Sequence, residues 1–256
     1  MLKAPQARPS ASNALQRLGK VLGEPQSPGA SRLAEANRAE QARRHAEDLA
    51  KTASAAEAKR REDLYEAAVS SFSSFWAPMR QAIVDDAPLA TVDVRSEMAF
   101  IAKLKNAQIG MSMPLQEAPW TEGPFDVIAS AVISVVQGLG RGSRAGRSHS
   151  LWYCDAQERG SYQWFETAFM ASAFGQQPKV VPFSLDPAEA GVAFSNVIGT
   201  VQLAWPLEQL DRDDPDAFID RWIGWFADAA NGEWQQPSLL PERPVKRSWR
   251  DSNRGS

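Results

Sequence analysis

The chain has 256 residues, 43% of them hydrophobic, with a net charge of −3. That supplies a core for one fair-sized domain with extensions, and the near-neutral balance argues against a dedicated nucleic-acid binder, which carries a basic excess. One cysteine, Cys154, and two histidines, His45 and His149, argue against an internal disulfide, a cysteine zinc cluster or a histidine-rich metal site, so no metal or other cofactor is expected. There is no apolar run of the roughly 18 residues a bilayer span needs, nor a secretory apolar core, so a cytoplasmic location is expected.

Residues 1–30 are rich in Pro, Ser, Ala and Gln and close on Ser27-Pro28-Gly29, the composition of a disordered tail. Their Arg- and Ser-bearing, acid-poor start is only faintly like an organelle transit peptide. Ser31 is placed to cap the helix that follows. From Arg32 to Glu66 there are eight Lys/Arg and eight Asp/Glu among many alanines, which predicts a neutral, salt-bridged helix surface. Ala39, Ala42, Ala46, Leu49, Ala53 and Ala56 recur at alternating spacings of three and four, a heptad seam built almost wholly of methyl groups. Such a seam fits a close-packed helical dimer or a docking arm, and equally a solvated helix in which alanine supplies propensity. We expect residues 31–62 to form a projecting helix.

A second stripe follows: Tyr65, Ala68, Phe72, Phe75, Trp76, Met79 and Ile83, all but Ala68 large. It predicts that this half of the helix packs on a domain covering residues 63–240, with Pro78 as a possible kink. Residues 89–118 suggest two or three short strands. Phe125–Val136 alternates strongly, with Phe125, Val127, Ala129, Ala131, Ile133 and Val135 on one face. A Gly/Arg loop at 138–147 separates it from strands at about 148–157 and 161–169, joined by Glu158-Arg159-Gly160, in which Gly160 suits a left-handed turn position. Further strands are expected at 179–183 and at 197–205, the latter with Val197, Val201, Leu203 and Trp205 inward. A helix begins near Asp213–Pro215 and stops at Asn231-Gly232, with Phe218, Ile219, Trp222, Ile223, Trp225, Phe226, Ala229 and Ala230 on one arc and Arg221 on the polar arc. Residues 241–256 form a basic tail with the composition of a disordered segment. Helix, strands in hairpin succession, then helix predict an α+β fold: an antiparallel sheet packed by helices, preceded by a long Ala-rich charged helix.

No segment carries a motif that names a reaction. In the Gly/Arg loop, glycine amides together with Arg141, Arg144 and Arg147 offer a site for a phosphate or carboxylate, although neither a dinucleotide fingerprint nor a P-loop is present. His149, Asp155 and Glu166 are the acid–base candidates. A three-residue hairpin loop would set Trp152 opposite Glu166 and put Trp152, Cys154, Tyr162, Trp164 and Glu166 on one face, with Leu151, Tyr153, Phe165 and Phe169 on the other. That register separates Asp155 from Glu166 and sets His149 with Asp155, six residues away. Both faces are then apolar, and each needs a cover. Cys154, between aromatic neighbours, reads as an inert thiol. The leading expectation is a non-enzymatic interaction or assembly protein that uses the alanine seam and the aromatic sheet surface. The candidate surface residues are Arg141, Arg144, Arg147, His149, Trp152, Trp164 and Glu166. The alternative is a small-molecule or anion-binding domain, enzymatic or not, built on the Gly/Arg loop. A nucleic-acid role rests only on that loop and the basic tail.

Overall fold

The computed structural model describes residues 27–114, 123–140, 143–171, 181–194 and 200–234. Of the two tails expected to be disordered, only Ser27–Ala30 falls among them. These four residues begin the first helix, α1, which spans Pro28–Asp86. Ser27 starts it in place of Ser31: its hydroxyl accepts the Ala30 N–H at 3.2 Å and its carbonyl the Ser31 N–H at 3.0 Å. Pro28 suits the first turn because its missing N–H would have had no helical partner there. Pro78 lies inside α1 without ending it.

The chain divides into two compact units between Lys59 and Arg60. In the first unit, residues 28–59 of α1 bury no side chain. They are held helical by the alanine propensity and by ion pairs one turn apart, Arg43 with Glu40 and Glu47, and Arg44 with Glu40. In the second unit, the stripe Ala68, Phe72, Phe75, Met79 and Ile83 is buried.

The second unit is built on seven antiparallel strands in chain order: β1 (Thr91–Ser96), β2 (Ala99–Leu104), β3 (Ala107–Ser112), β4 (Val127–Gly140), β5 (Ser143–Glu158), β6 (Ser161–Ala171) and β7 (Val201–Gln209). Each strand pairs with its neighbours in sequence, the short-connection solution for a meander. A short helix, α2 (Pro187–Ala190), and a 3₁₀ turn at Gly191–Phe194 lie in the β6–β7 connection. The last helix, α3 (Asp216–Asn231), ends on Gly232 at φ 77°, the left-handed stop that its sequence predicts. This is the α+β fold with an antiparallel sheet and a long preceding helix.

Both long helices cover the same face of the sheet. The α1 stripe and Phe218, Ile219, Trp222, Phe226, Ala229 and Ala230 of α3 pack with Phe100, Ile109, Ile133, Leu151, Tyr153 and Trp164. The opposite face over β4–β7 has its own cover: Phe183, Leu185, Ala190 and Phe194 enclose Phe125, Val127, Trp152, Cys154, Phe165 and Phe169. The second apolar face is thus closed by the β6–β7 connection and not by α1.

Irregularities in three strands, and the length of the β5–β6 turn, correct the expected faces. In β4, Val127 pairs with Cys154 but Ala129 with Tyr153, so Ile128 is an extra residue. Phe125 and Val127 therefore turn to the Trp152 side while Ala129, Ala131, Ile133 and Val135 face the helices. In β5, three residues between Cys154 and Glu158 oppose one in β6, and the turn has two residues, Arg159 and Gly160 (φ 82°). Leu151 consequently pairs with Glu166 and Trp152 with Phe165. In β7, Ala204 is extra between Trp205 and Leu203, and Pro206 and Leu207 together oppose Thr167, which puts Trp205 beside Ala168 and leaves Leu203 and Leu207 on the side of the second core. An odd net excess inverts side-chain parity beyond it, because strand faces alternate with period two. The β5 stretch carries a net excess of two and keeps parity, so there it is the two-residue turn that changes the faces.

Candidate functional site

The two-residue turn and the β5 insertion bring together two residues that the three-residue-loop register keeps apart: the turn puts them on one face, and the insertion sets Leu151, two residues from His149, opposite Glu166. His149 and Glu166 sit on the helix-covered face of the sheet, fully buried, with His149 Nδ1 at 2.7 Å from Glu166 Oε1. Arg147 Nε donates to His149 Nε2 at 3.3 Å. Arginine has donors only, so Nε2 is the acceptor and Nδ1 carries the proton donated to Glu166. Two groups from α3 complete the cluster: Trp222 Nε1–H donates to Glu166 Oε1 at 3.0 Å, and Arg221 forms an ion pair with Glu166 Oε2.

The rings of Trp205, Trp222 and Trp225 surround the imidazole, with centroids 5.5, 4.9 and 5.8 Å away. Both guanidinium groups stack on this cage, Arg147 at 3.8 Å over Trp225 and Arg221 at 4.8 Å over Trp205. Burial pushes His149 below the usual imidazole range, and Arg147 and Arg221 push it further against the pull of Glu166. Burial would raise Glu166, but His149, Arg221 and the Trp222 donor together hold it below the usual carboxylate range. The cluster is therefore an ionised carboxylate with a neutral histidine of fixed tautomer.

Both imidazole nitrogens are engaged and the ring is sealed from solvent, so His149 has no open position at which to take a proton from a substrate. Asp155 is engaged elsewhere. Its carboxylate accepts the Asp126 N–H at 2.7 Å and the Gly160 N–H at 2.9 Å, tying the β4 entry to the β5–β6 turn. Cys154 is buried, with its thiol pushed up by burial, and lies in the second core. Among the described residues no group of three or more His, Cys, Asp or Glu could hold a metal ion.

The other predicted site residues separate. Arg141 lies outside the described residues, as does the side chain of Arg144. The Gly/Arg segment is not an open loop over most of its length, because the ladder continues through Gly138–Arg144 to Gly140–Ser143. Arg147 points into the histidine cluster and is only 6% exposed. Trp152 is buried in the second core, on the opposite face from Trp164 and Glu166. Trp164 Nε1–H donates to Ser71 Oγ at 3.1 Å, fastening β6 to α1.

Trp164 also lines a cleft of about 350 Å³ with Ser71, Phe75, Tyr153, Tyr162 and the turn Gln209–Asp213. Trp152 and Arg147 take no part in that lining.

Arg221 and Trp222 are the cluster members that sequence reasoning missed. Arg221 falls on the polar arc of α3, and nothing in its spacing signals that it reaches Glu166, whose face relative to β5 depends on the length of the β5–β6 turn. No helix among the described residues is long and apolar enough to cross a membrane. No family model, curated protein or solved structure matches the chain.

Proposed function

We propose that the chain is a non-enzymatic interaction and assembly protein that meets its partner through the alanine seam of α1. The observation that supports this reading is the seam itself. Ala39, Ala42, Ala46, Leu49, Ala53 and Ala56 follow heptad spacing on a stretch of helix with no buried residue, and Leu49 is 57% exposed. Small residues at both seam positions let two helix backbones approach closely, which compensates in dispersion for the little area each methyl buries. A second copy of the chain is the simplest partner, forming a coiled coil. The sealed His149 cluster favours a structural role over a catalytic one. The aromatic sheet surface drops out of the reading over β4–β7, where both faces are already covered. The anion-binding alternative loses Arg147, which is committed to His149 and Trp225. A cytoplasmic setting fits a single, buried, reduced thiol.

Sedimentation of the full chain and of an A46E/L49E/A53E variant tests the proposal. The expected result is a wild-type dimer, or a complex with a second protein in pull-down, and a monomeric variant that recovers neither. A monomeric wild type whose pull-down profile is identical to the variant's would remove the reading.

A further inference from the structure

The His149 cluster attaches the first half of α3 to β5 and β6 by polar side chains, with Lys105 bonding Asn231 at its far end, and the cluster's attachment depends on one proton position. We propose that His149 is an acid-released pin: adding a proton at Nε2 loosens α3 from β5–β6 while the sheet stays intact.

The groups around the ring define what that proton does. Arg147 on β5, Glu166 on β6 and Arg221 on α3 are the charges that act on it. Ile133 stands opposite it on β4, with nothing to titrate. On β7, Trp205 contacts the ring, and Glu208 pairs with Glu166 in the ladder. With a neutral ring, Arg221 is paired with Glu166 while Arg147 donates to the ring itself, so both guanidinium groups border the imidazole. A proton from solvent can bond to Nε2 only after the Arg147 Nε–H bond breaks, since that nitrogen has a single lone pair in the ring plane. The product is an imidazolium beside Glu166 but also repelled by the Arg147 and Arg221 guanidinium groups, in a low-dielectric site.

The elements differ in what they can do in response. β4, β5, β6 and β7 are joined by backbone ladders, which do not depend on the cluster. α3 contributes Arg221, Trp222 and Trp225 and is held to the sheet by side chains. Displacing α3 moves one cation away and lets water reach the imidazolium, so α3 is the element that yields. The sign follows from the same geometry. A histidine held below its ordinary value of 6.5 in the folded state stabilises the docked form at neutral pH. That contribution is lost as pH falls from the ordinary value towards the depressed one, because the released state takes up the proton first.

The chain has only two histidines, which permits a direct test in the full-length protein. His45 lies on the exposed part of α1 and serves as the reference in an imidazole NMR titration, assigned with a His45→Asn variant. The expected result is a His149 ring protonated at Nδ1 near neutrality with a midpoint below that of His45. Between about pH 7.5 and about pH 5, amide protection in α3 should fall at least about tenfold relative to β2 and β3, after correction for intrinsic exchange. A His149→Gln variant should abolish that selective loss. A His149 midpoint at or above that of His45 overturns the proposal, as does protection lost equally in α3 and the sheet. If the Gln variant does not fold, both wild-type readouts still decide it.

Discussion

His149 and Glu166 hydrogen-bond across the β5–β6 ladder although they are not paired in it: Glu166 pairs with Leu151, and His149 reaches it diagonally at 2.7 Å. Diagonal neighbours on one sheet face lie within reach of long side chains, and here the carboxylate also gathers Arg221 and Trp222 from α3. The relationship makes Glu166, on β6, the common acceptor of donors from β5 and α3.

Replacing Glu166 with Gln should therefore cost more than a typical surface change. It removes the counter-charge of Arg221 and turns an amide against three donors. The expected loss is about 2–4 kcal/mol, below the full value for a sealed pair because the Arg221 side chain keeps 21% exposure. Urea unfolding followed by tryptophan fluorescence would show a lower midpoint with an unchanged slope.

Asp126 plays a comparable part at the other end of the sheet. Arg61 on α1 binds both its oxygens at 2.9 and 3.1 Å, and Tyr162 donates to it at 2.7 Å. Asp126→Asn should destabilise the second unit by about 1–2 kcal/mol, and its penalty should shrink at high salt because the lost term is partly Coulombic. A chemical denaturation series at low and high ionic strength checks both statements. A penalty independent of salt would assign the effect to hydrogen bonding alone.

Gly146 offers a steric test of the β4–β5 ribbon. A Cβ there would meet the Val135 carbonyl oxygen at 2.7 Å and Val136 Cα at 3.2 Å, both backbone atoms that the ladder holds in place. Gly146→Ala should cost about 1–3 kcal/mol, in spite of the better intrinsic propensity of alanine. Because Arg147 is the next residue, the displaced strand should also weaken the Arg147–His149 contact. The imidazole resonance of His149 should shift in that variant, and an unchanged spectrum would contradict this coupling.

The elements themselves were legible in the chain. The Phe72–Ile83 stripe, the Phe218–Ala230 arc and the Asn231-Gly232 stop each repeat a local preference often enough to survive any tertiary arrangement. The alternation through β4, β5 and β6 marked them as strands, but the faces it predicted did not survive the insertions and the turn length. The candidate site was legible in its membership but not in its geometry. His149, Arg147 and Glu166 were all singled out, yet the regular hairpin register placed His149 and Glu166 on opposite faces and Trp152 beside Glu166.

The sequence by itself determined an antiparallel α+β domain with two amphipathic helices, an exposed charged helix and one buried thiol, because periodicity and propensity are properties of neighbouring residues. Only the tertiary structure decided which residues meet. Ile128, the Asp155–Gln157 stretch and Ala204 are accommodated as extra residues by pairing and packing across the sheet; together with the turn length they set which residues share a face and which stand opposite one another. Parity is a non-local quantity with no signature in a single strand. For that reason the pairing of His149 with Glu166, the reach of Arg221 from the polar arc of α3, and the closure of the second face by Phe183–Phe194 emerge only from the folded chain.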